Sequence, residues 1–184
     1  METGRRAVFL DRDGVLNRAV VRGNRPFPPS SVGEVEVIAG VADACNALRK
    51  AGALLLCVTN QPDVARGAAN RQHVEAINDH LQRTLGLDAV TACFHDDKDD
   101  CACRKPKPGM LLELAARYNV DLERSVMVGD RWRDIEAGVR AGCRTVFVDY
   151  GYDEDRPAKA DFESGSLAEA LPWILRFLET GRLQ

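Results

Sequence analysis

Asp11 and Asp13 stand one residue apart at the end of a short apolar run, Val8-Phe9-Leu10, and Gly14 follows them directly. In an extended segment alternate side chains share a face, so both carboxylates point into one space at the strand's C-terminal end. Two carboxylates that close repel each other. A hard cation such as Mg²⁺, which takes oxygen ligands and keeps several waters, relieves the repulsion and can bridge to a phosphate. Asp and Gly are also ordinary turn formers, so two solvated turn aspartates are the alternative for this segment alone. Three further groups follow other apolar runs or open helices. Thr59-Asn60-Gln61 offers a hydroxyl, side-chain amides and backbone N–H groups that can hold phosphate oxygens, or else an ordinary helix-entry turn. Gly129-Asp130-Arg131-Trp132-Arg133-Asp134 brings two more acids to the same rim. On a helix starting there, Asp130 and Asp134 share a face, which suits one as metal ligand and the other as its support; helix capping by Asp130 is the alternative. Arg104-Lys105-Pro106-Lys107-Pro108-Gly109 supplies cationic charge ahead of a helical segment. Phosphoryl transfer needs such charge over the transferring oxygens, with Lys105 the favoured candidate, whereas a solvated basic turn is the plain reading.

A second constellation is Cys93-Phe94-His95, then five residues, then Cys101-Ala102-Cys103. Three thiolates and one imidazole match a closed tetrahedral Zn²⁺ site, and the intervening loop is long enough to fold the two pairs together. Unbound thiols on an acidic loop, with Asp96, Asp97, Asp99 and Asp100 solvated, are the alternative. A filled shell leaves no position for an activated water, so this zinc is expected to be structural. Cys103 lies two residues before Lys105, so the metal is expected to order the loop that carries the cation. Cys45, Cys57 and Cys143 are scattered, as packing residues are.

These residues need a scaffold. Apolar runs at 7–10, 53–58, 89–94, 126–128 and 145–148 read as buried strands, and helical patterns at 41–50, 71–85, 109–118 and 134–141 separate them. Gly52, Gly86 and Gly142 follow three of the helices, a common stop. Alternation of this kind predicts an α/β fold, a doubly wound, Rossmann-like parallel sheet with helices on both faces and ligands beyond the strands' C-terminal ends. Ser166-Leu167-Ala168-Glu169 reads as a capping box opening a last helix that Pro172 is expected to interrupt or re-set. The 184 residues suit a single domain, 1–184, and no repeat or linker divides them. A net charge of −3 gives no case for nucleic acid or an anionic membrane, which leaves a small molecule as the partner of an expected monomer. No apolar run is long enough to span a bilayer, and Met1-Glu2-Thr3-Gly4-Arg5-Arg6 leads into a strand without a signal-peptide core, so the expected location is cytoplasmic.

The ordered set Asp-x-Asp-Gly, Thr-Asn, Lys and Gly-Asp-x-x-x-Asp, spanning Asp11 to Asp134, resembles the haloacid dehalogenase superfamily of phosphohydrolases. The resemblance implies Asp11 as the nucleophile that forms an aspartyl-phosphate and Asp13 as general acid and then general base. It implies Mg²⁺ held by the side chains of Asp11 and Asp130 and the backbone carbonyl of Asp13, with Asp134 in support. Thr59, Asn60 and Lys105 would bind the transferring phosphoryl group. Within the superfamily, the zinc loop followed by Cys103-Arg104-Lys105-Pro106, with Asp11-Arg12-Asp13-Gly14 upstream, resembles the D-glycero-D-manno-heptose 1,7-bisphosphate phosphatases and related histidinol-phosphate phosphatases. That branch implies removal of a heptose 7-phosphate, with histidinol phosphate or a longer sugar bisphosphate as alternative substrates. The stretch from Gly14 to Ala39 is too short for a helical cap, so a capless site is expected. Arg104 and Arg131 are candidate contacts to sugar hydroxyls or a second phosphate. Arg12 and Asn17 read as structural. The segment after Asn17 is longer than the branch's pattern and lacks its His-Gly-Tyr element; Arg22 and Arg25 there are either distal-phosphate contacts or solvated loop charges. A phosphoaspartate receiver module and a zinc-stabilised binding protein are the readings from other classes. Asp13-Gly14 and the zinc loop argue against the first, and the intact acids and Lys105 against the second.

Overall fold

In the computed structural model, which describes residues 4–181, the chain enters the core through β1 (Ala7–Leu10). Residues 1–3 of the N-terminal segment discussed above lie outside the described residues. A short antiparallel hairpin follows, β2 (Val20–Arg22) paired with β3 (Arg25–Phe27), and α1 (Val41–Lys50) then carries the chain to β4 (Leu54–Asn60). The remaining elements alternate: α2 (Arg71–Leu85), β5 (Ala89–Cys93), α3 (Gly109–Tyr118), β6 (Val126–Gly129), α4 (Trp132–Ala141), β7 (Arg144–Val148), β8 (Phe162–Ser164) and α5 (Leu167–Thr180). Six strands form one sheet in the order β5-β4-β1-β6-β7-β8, and every adjacent pair is parallel.

The strands are continuous apolar runs because both faces of the sheet are covered. Along β1, Val8 and Leu10 pack with residues of α1, α2 and α5, while Ala7 and Phe9 pack with residues of α3 and α4. This is the two-residue alternation of a strand, with no polar face. The helices are bounded by local chemistry. The Asn70 side chain accepts from the Gln72 N–H at 2.8 Å to open α2, and Gly86 closes it in the left-handed conformation.

At α5 the structure departs from the sequence expectation. Ser166 Oγ does cap the helix, accepting from the Glu169 N–H at 3.1 Å, but the helix runs unbroken through Pro172 to Thr180. A mid-helix proline costs about 3 kcal/mol. Beyond it Ile174, Phe177 and Leu178 are at most 2% exposed, and each buried side chain of that size contributes about 1.5–3 kcal/mol. Their burial outweighs the proline.

From β1 the chain winds outward to β4 and β5, then crosses back and winds the other way through β6, β7 and β8. The winding reverses at β1, where open α/β sheets place their ligands, and β1 is the strand that delivers Asp11. Between β1 and α1 lie the small β2–β3 hairpin and a single 3-10 turn at Val32–Glu34, with no α-helix to form a cap over the strand ends.

Candidate active site

Asp11 leaves β1 with its N–H bonded to the Val128 carbonyl at 2.9 Å, which ties the end of β1 to the end of β6. Gly14 closes the turn at φ +96°, and a Cβ there would stand 2.0 Å from Asp130 Oδ2. Glycine is therefore required twice, by its backbone conformation and by the approach of Asp130. Asp11, Asp130 and Asp134 bring carboxylate oxygens within 4.8 Å of one another. All three are buried.

Asp130 is the anomaly in this cluster. Both its carboxylate oxygens are buried with no hydrogen-bond partner. Tyr152 stands close enough for the Asp130 charge to add to burial in raising its phenol pKa, yet it meets neither oxygen in hydrogen-bond geometry. Burial, with the Asp11 and Asp134 charges adding, holds the Asp130 carboxyl well above the usual carboxylate range. Burial likewise pushes Asp11 up to about 7, against the Lys105 charge that lowers it and with the Asp134 and Asp13 charges adding. Orphaned oxygens beside a second strained carboxylate make the donor set of a hard divalent cation, so Asp11 and Asp130 fit Mg²⁺.

Asp134 is placed differently from the expectation of a shared helical face. Asp130 precedes α4, and it does not cap the helix; Asp134 Oδ2 instead accepts from the Arg131 N–H at 3.1 Å. The other Asp134 oxygen lies 2.6 Å from Lys105 Nζ. Lys105 Nζ also donates to Asp11 Oδ1 at 2.6 Å and to the Val58 carbonyl at 2.7 Å, which accounts for its three donors. Burial alone would lower the Lys105 pKa, but the Asp11 and Asp134 charges raise it above its ordinary value. The ammonium is thus held ionised beside Asp11 while only 1% exposed.

Asp13 sits apart from the three clustered acids. Its carboxylate accepts from Arg12 Nε and a terminal guanidinium nitrogen, from Asn17 Nδ2 and from Gln61 Nε2, at 2.9–3.2 Å. Arg12 is fully buried and anchored in turn on Asn78 Oδ1 at 2.8 Å. Arg12 and Asn17 thus have the structural role read for them, as the mount that aims Asp13. Gln61, read from sequence as part of a phosphate-holding triplet, also donates to Thr59 Oγ1 at 2.9 Å, so its side-chain amide bridges Thr59 to Asp13. The signal was there, because Thr59 and Gln61 are two residues apart and share a face of extended chain. Asn60 is engaged with the Lys105 backbone, accepting from its N–H at 3.1 Å and donating to its carbonyl at 3.0 Å.

Asp11, Asp13, Thr59, Asn60, Lys105, Arg131 and Asp134 all line one cavity of about 290 Å³. Arg104 does not; its Nε donates to Asp97 at 2.8 Å, on the loop between His95 and Cys101. Arg131 is held by a bidentate pair with Glu154, and Arg66 and Arg133, unassigned from sequence, complete the basic lining with Arg25.

The Cys93, His95, Cys101 and Cys103 ligand atoms lie within 4.8 Å of one another. Cys93 Sγ lies 3.7 Å from Cys101 Sγ and 3.0 Å from Cys103 Sγ, and Cys101 Sγ and Cys103 Sγ are 3.5 Å apart. Zn–S bonds of about 2.3 Å at tetrahedral angles place sulfurs about 3.8 Å apart; two of the three separations lie near that and the Cys93–Cys103 pair is closer, so the donor set is compatible with zinc. The loop acids are not simply solvated. Asp96 accepts from Arg66 at 2.5 Å, and Asp97 accepts from both Arg104 and Arg133.

Residues 102–171 match the family model described as HAD-hydrolase-like. The D-glycero-beta-D-manno-heptose-1,7-bisphosphate 7-phosphatase of Bordetella bronchiseptica is 35% identical over 86% of this chain and 89% of its own. The chain belongs to this branch of the haloacid dehalogenase superfamily. A D-glycero-D-manno-heptose-1,7-bisphosphate 7-phosphatase of Thermosynechococcus vestitus is 34% identical over 95% of this chain and 97% of its own. The crystal structure of the B. bronchiseptica D,D-heptose 1,7-bisphosphate phosphatase, complexed with magnesium and phosphate, superposes with a TM-score of 0.79 at 32% identity. It covers 93% of this chain and 98% of that one. Among the described residues, no helix is long and apolar enough to cross a membrane.

Proposed function

We propose that this chain is a Mg²⁺-dependent phosphatase that removes the 7-phosphate of D-glycero-D-manno-heptose 1,7-bisphosphate. The observation that carries the reading is the buried acid cluster: Asp130 with two unpartnered oxygens beside Asp11, and Lys105 bridging Asp11 to Asp134. That arrangement suits a phosphate drawn in with its metal, and relatives along nearly the whole chain are named for this reaction.

Asp11 is the nucleophile. Its carboxylate attacks phosphorus, the bond to the sugar oxygen breaks, and an aspartyl-phosphate remains on Asp11. Lys105 offsets the repulsion between this carboxylate and the incoming dianion, and holds the attacking group still by its Oδ1 contact. Thr59 binds a phosphoryl oxygen through its hydroxyl hydrogen, which is left to donate because Gln61 uses the oxygen as acceptor. Asn60 acts through Lys105, whose backbone it clamps. Asp13 gives a proton to the departing sugar oxygen and later takes one from the water that cleaves the aspartyl-phosphate. Asp11, Asp130 and the Asp13 carbonyl would hold Mg²⁺, which when bound neutralises charge on the phosphoryl group. The zinc is structural, the enzyme acts as a cytoplasmic monomer, and Arg131 contacts the distal part of the substrate.

The test is phosphate release, with and without Mg²⁺, from both anomers of heptose 1,7-bisphosphate and from histidinol phosphate, with Asp11→Asn as blank. A Mg²⁺-dependent preference for one heptose anomer, lost in the blank, is the expected result. Preference for histidinol phosphate overturns the substrate, and turnover that survives Asp11→Asn overturns the mechanism.

A further inference from the structure

Four arginines line the cavity, and three are already neutralised. Arg131 is paired with Glu154, Arg66 with Asp63 and Asp96, and Arg133 with Asp97. Among the described residues, Arg25 forms no ion pair with any acid. Asp153, Glu154 and Asp155 border an outer groove beside it without closing to ion-pair distance. Arg22 and Arg25 look equivalent in sequence, but the structure separates them. Arg22 lies over the Phe27 ring, 5.8 Å from its centre, and is not part of the cavity lining.

The position of Arg25 is fixed by contacts remote from the acid cluster. The hairpin turn at Gly23-Asn24 docks on the segment after β7: the Asp153 N–H donates to the Asn24 carbonyl at 3.2 Å, and Asn24 Nδ2 donates to the Gly151 carbonyl at 3.4 Å. That segment is itself tied to the catalytic turn, because Tyr150 Oη donates to the Gly14 carbonyl at 2.9 Å. Arg25 is the next residue after the docked Asn24. Pro26 and Pro28 line the cavity beside it and restrict the backbone that follows.

We infer that Arg25 is a specificity-determining residue that reads a second anionic group on the substrate, the phosphate distal to the one being transferred. The acids and Lys105 at the strand ends engage the reacting phosphate, while Arg25 is an exposed, uncommitted guanidinium on the wall of the same cavity. A guanidinium fork matches a phosphate in charge and geometry. A bisphosphate would gain this contact and a monophosphate of the same sugar would not. The inference rests on the sugar-bisphosphate reading above, but concerns the second phosphate and not the identity of the sugar.

The experiment compares heptose 1,7-bisphosphate with heptose 7-phosphate, and fructose 1,6-bisphosphate with fructose 6-phosphate, on the Mg²⁺- and zinc-loaded enzyme. The readout is the ratio of kcat/KM for bisphosphate over monophosphate. The same pairs are titrated calorimetrically into Asp11→Asn and Asp11→Asn/Arg25→Ala, so that affinity is read whether or not a sugar is turned over. Arg25→Ala is expected to lower the ratio about tenfold to a hundredfold, mainly through KM, the scale of one charge-assisted contact. Arg25→Lys should recover part of it, and Arg22→Ala should leave it unchanged. An Arg25-dependent ratio with fructose but not heptose phosphates sustains this inference and overturns the heptose assignment. Heptose 1,7-bisphosphate turnover with a ratio indifferent to Arg25→Ala does the reverse. Equal affinity for bisphosphate and monophosphate with Arg25 present, or equal loss on both in its absence, overturns the role of Arg25.

Discussion

Replacing Asp130 with asparagine should stabilise the Mg²⁺-free protein and abolish its response to Mg²⁺. The carboxylate is 2% exposed, both oxygens lack partners, and Asp11 and Asp134 add like charge. A buried group left unsatisfied costs about 1–3 kcal/mol, more when charged. Asparagine is neutral, nearly the same size, and its amide can donate to the neighbouring Asp11 carboxylate. A gain of about 2 kcal/mol in a chain of this length raises Tm by about 4–8 °C. Because burial and the Asp11 and Asp134 charges hold the Asp130 carboxyl well above the usual carboxylate range, the gain should grow as the pH rises and Asp130 loses its proton, and shrink as the pH falls. Wild type should gain about 3 kcal/mol from Mg²⁺ at a hundred times its Kd, and the variant should gain nothing. Scanning calorimetry after dialysis against Mg²⁺-free buffer, without a chelator that would strip zinc, measures both effects. An Asp130→Asn protein less stable than wild type in Mg²⁺-free buffer at pH 8, or one whose Tm still rises with Mg²⁺, would refute the assignment of these oxygens to a cation.

Asp11 makes a related pH prediction. Its folded pKa of about 7 lies above the ordinary value of 3.8, so the folded state binds the extra proton. The Mg²⁺-free protein carries no penalty below pH about 4 and loses up to about 4 kcal/mol as the pH rises to about 7. Mg²⁺ should therefore raise Tm more at pH 8 than at pH 5, and an equal rise at both would count against it. Cys101→Ser should reduce bound zinc, measured by plasma mass spectrometry, from about one per chain and lower Tm by several degrees. Its kcat should fall without vanishing, because Asn60 still clamps the Lys105 backbone; undiminished kcat would show that zinc does not order this loop. Gln61→Ala removes the bridge between Thr59 and Asp13 and should cost about tenfold to a hundredfold in kcat with little change in Tm. A loss confined to KM would place Gln61 in binding alone.

Much of this architecture was legible because the sheet is buried on both faces. Continuous apolar runs such as 7–10 and 126–128 have no other use in a chain this polar, and the acids at their ends could be located by strand polarity alone. The cysteine–histidine cluster was legible because its four residues lie close together in sequence. Elements whose stability comes from distant partners were not. The β2–β3 hairpin is held by contacts from Gly151 and Asp153, and β8 is a three-residue edge strand without an apolar run. The proline in α5 misled for the same reason, since burial against the sheet, absent from local propensity, decides it. Within the site, residue types gave the acids and Lys105, but not that Asn60 holds the Lys105 backbone or that Arg104 turns away to Asp97.

That turn of Arg104 ties the cysteine–histidine loop to more of the cavity than the Lys105 segment that follows it. Its first acids are shared among three arginines from separate parts of the chain: Asp96 with Arg66 after β4, and Asp97 with Arg104 on the loop and Arg133 in α4. Exposed ion pairs of this kind contribute little stability singly, and salt screens them. Their joint effect is geometric, because one loop, anchored between the Cys93/His95 and Cys101/Cys103 pairs, sets the spacing of Arg66 and Arg133 on the cavity wall. A metal held by this loop would act at two levels, on Lys105 through the chain and on the basic wall through Asp96 and Asp97. The wall is nearly charge-balanced before a substrate arrives, which keeps weak anions from gaining much there. A ligand carrying two phosphates would gain at both ends, one at Lys105 and the acid cluster, the other at Arg25, which no acid among the described residues has taken.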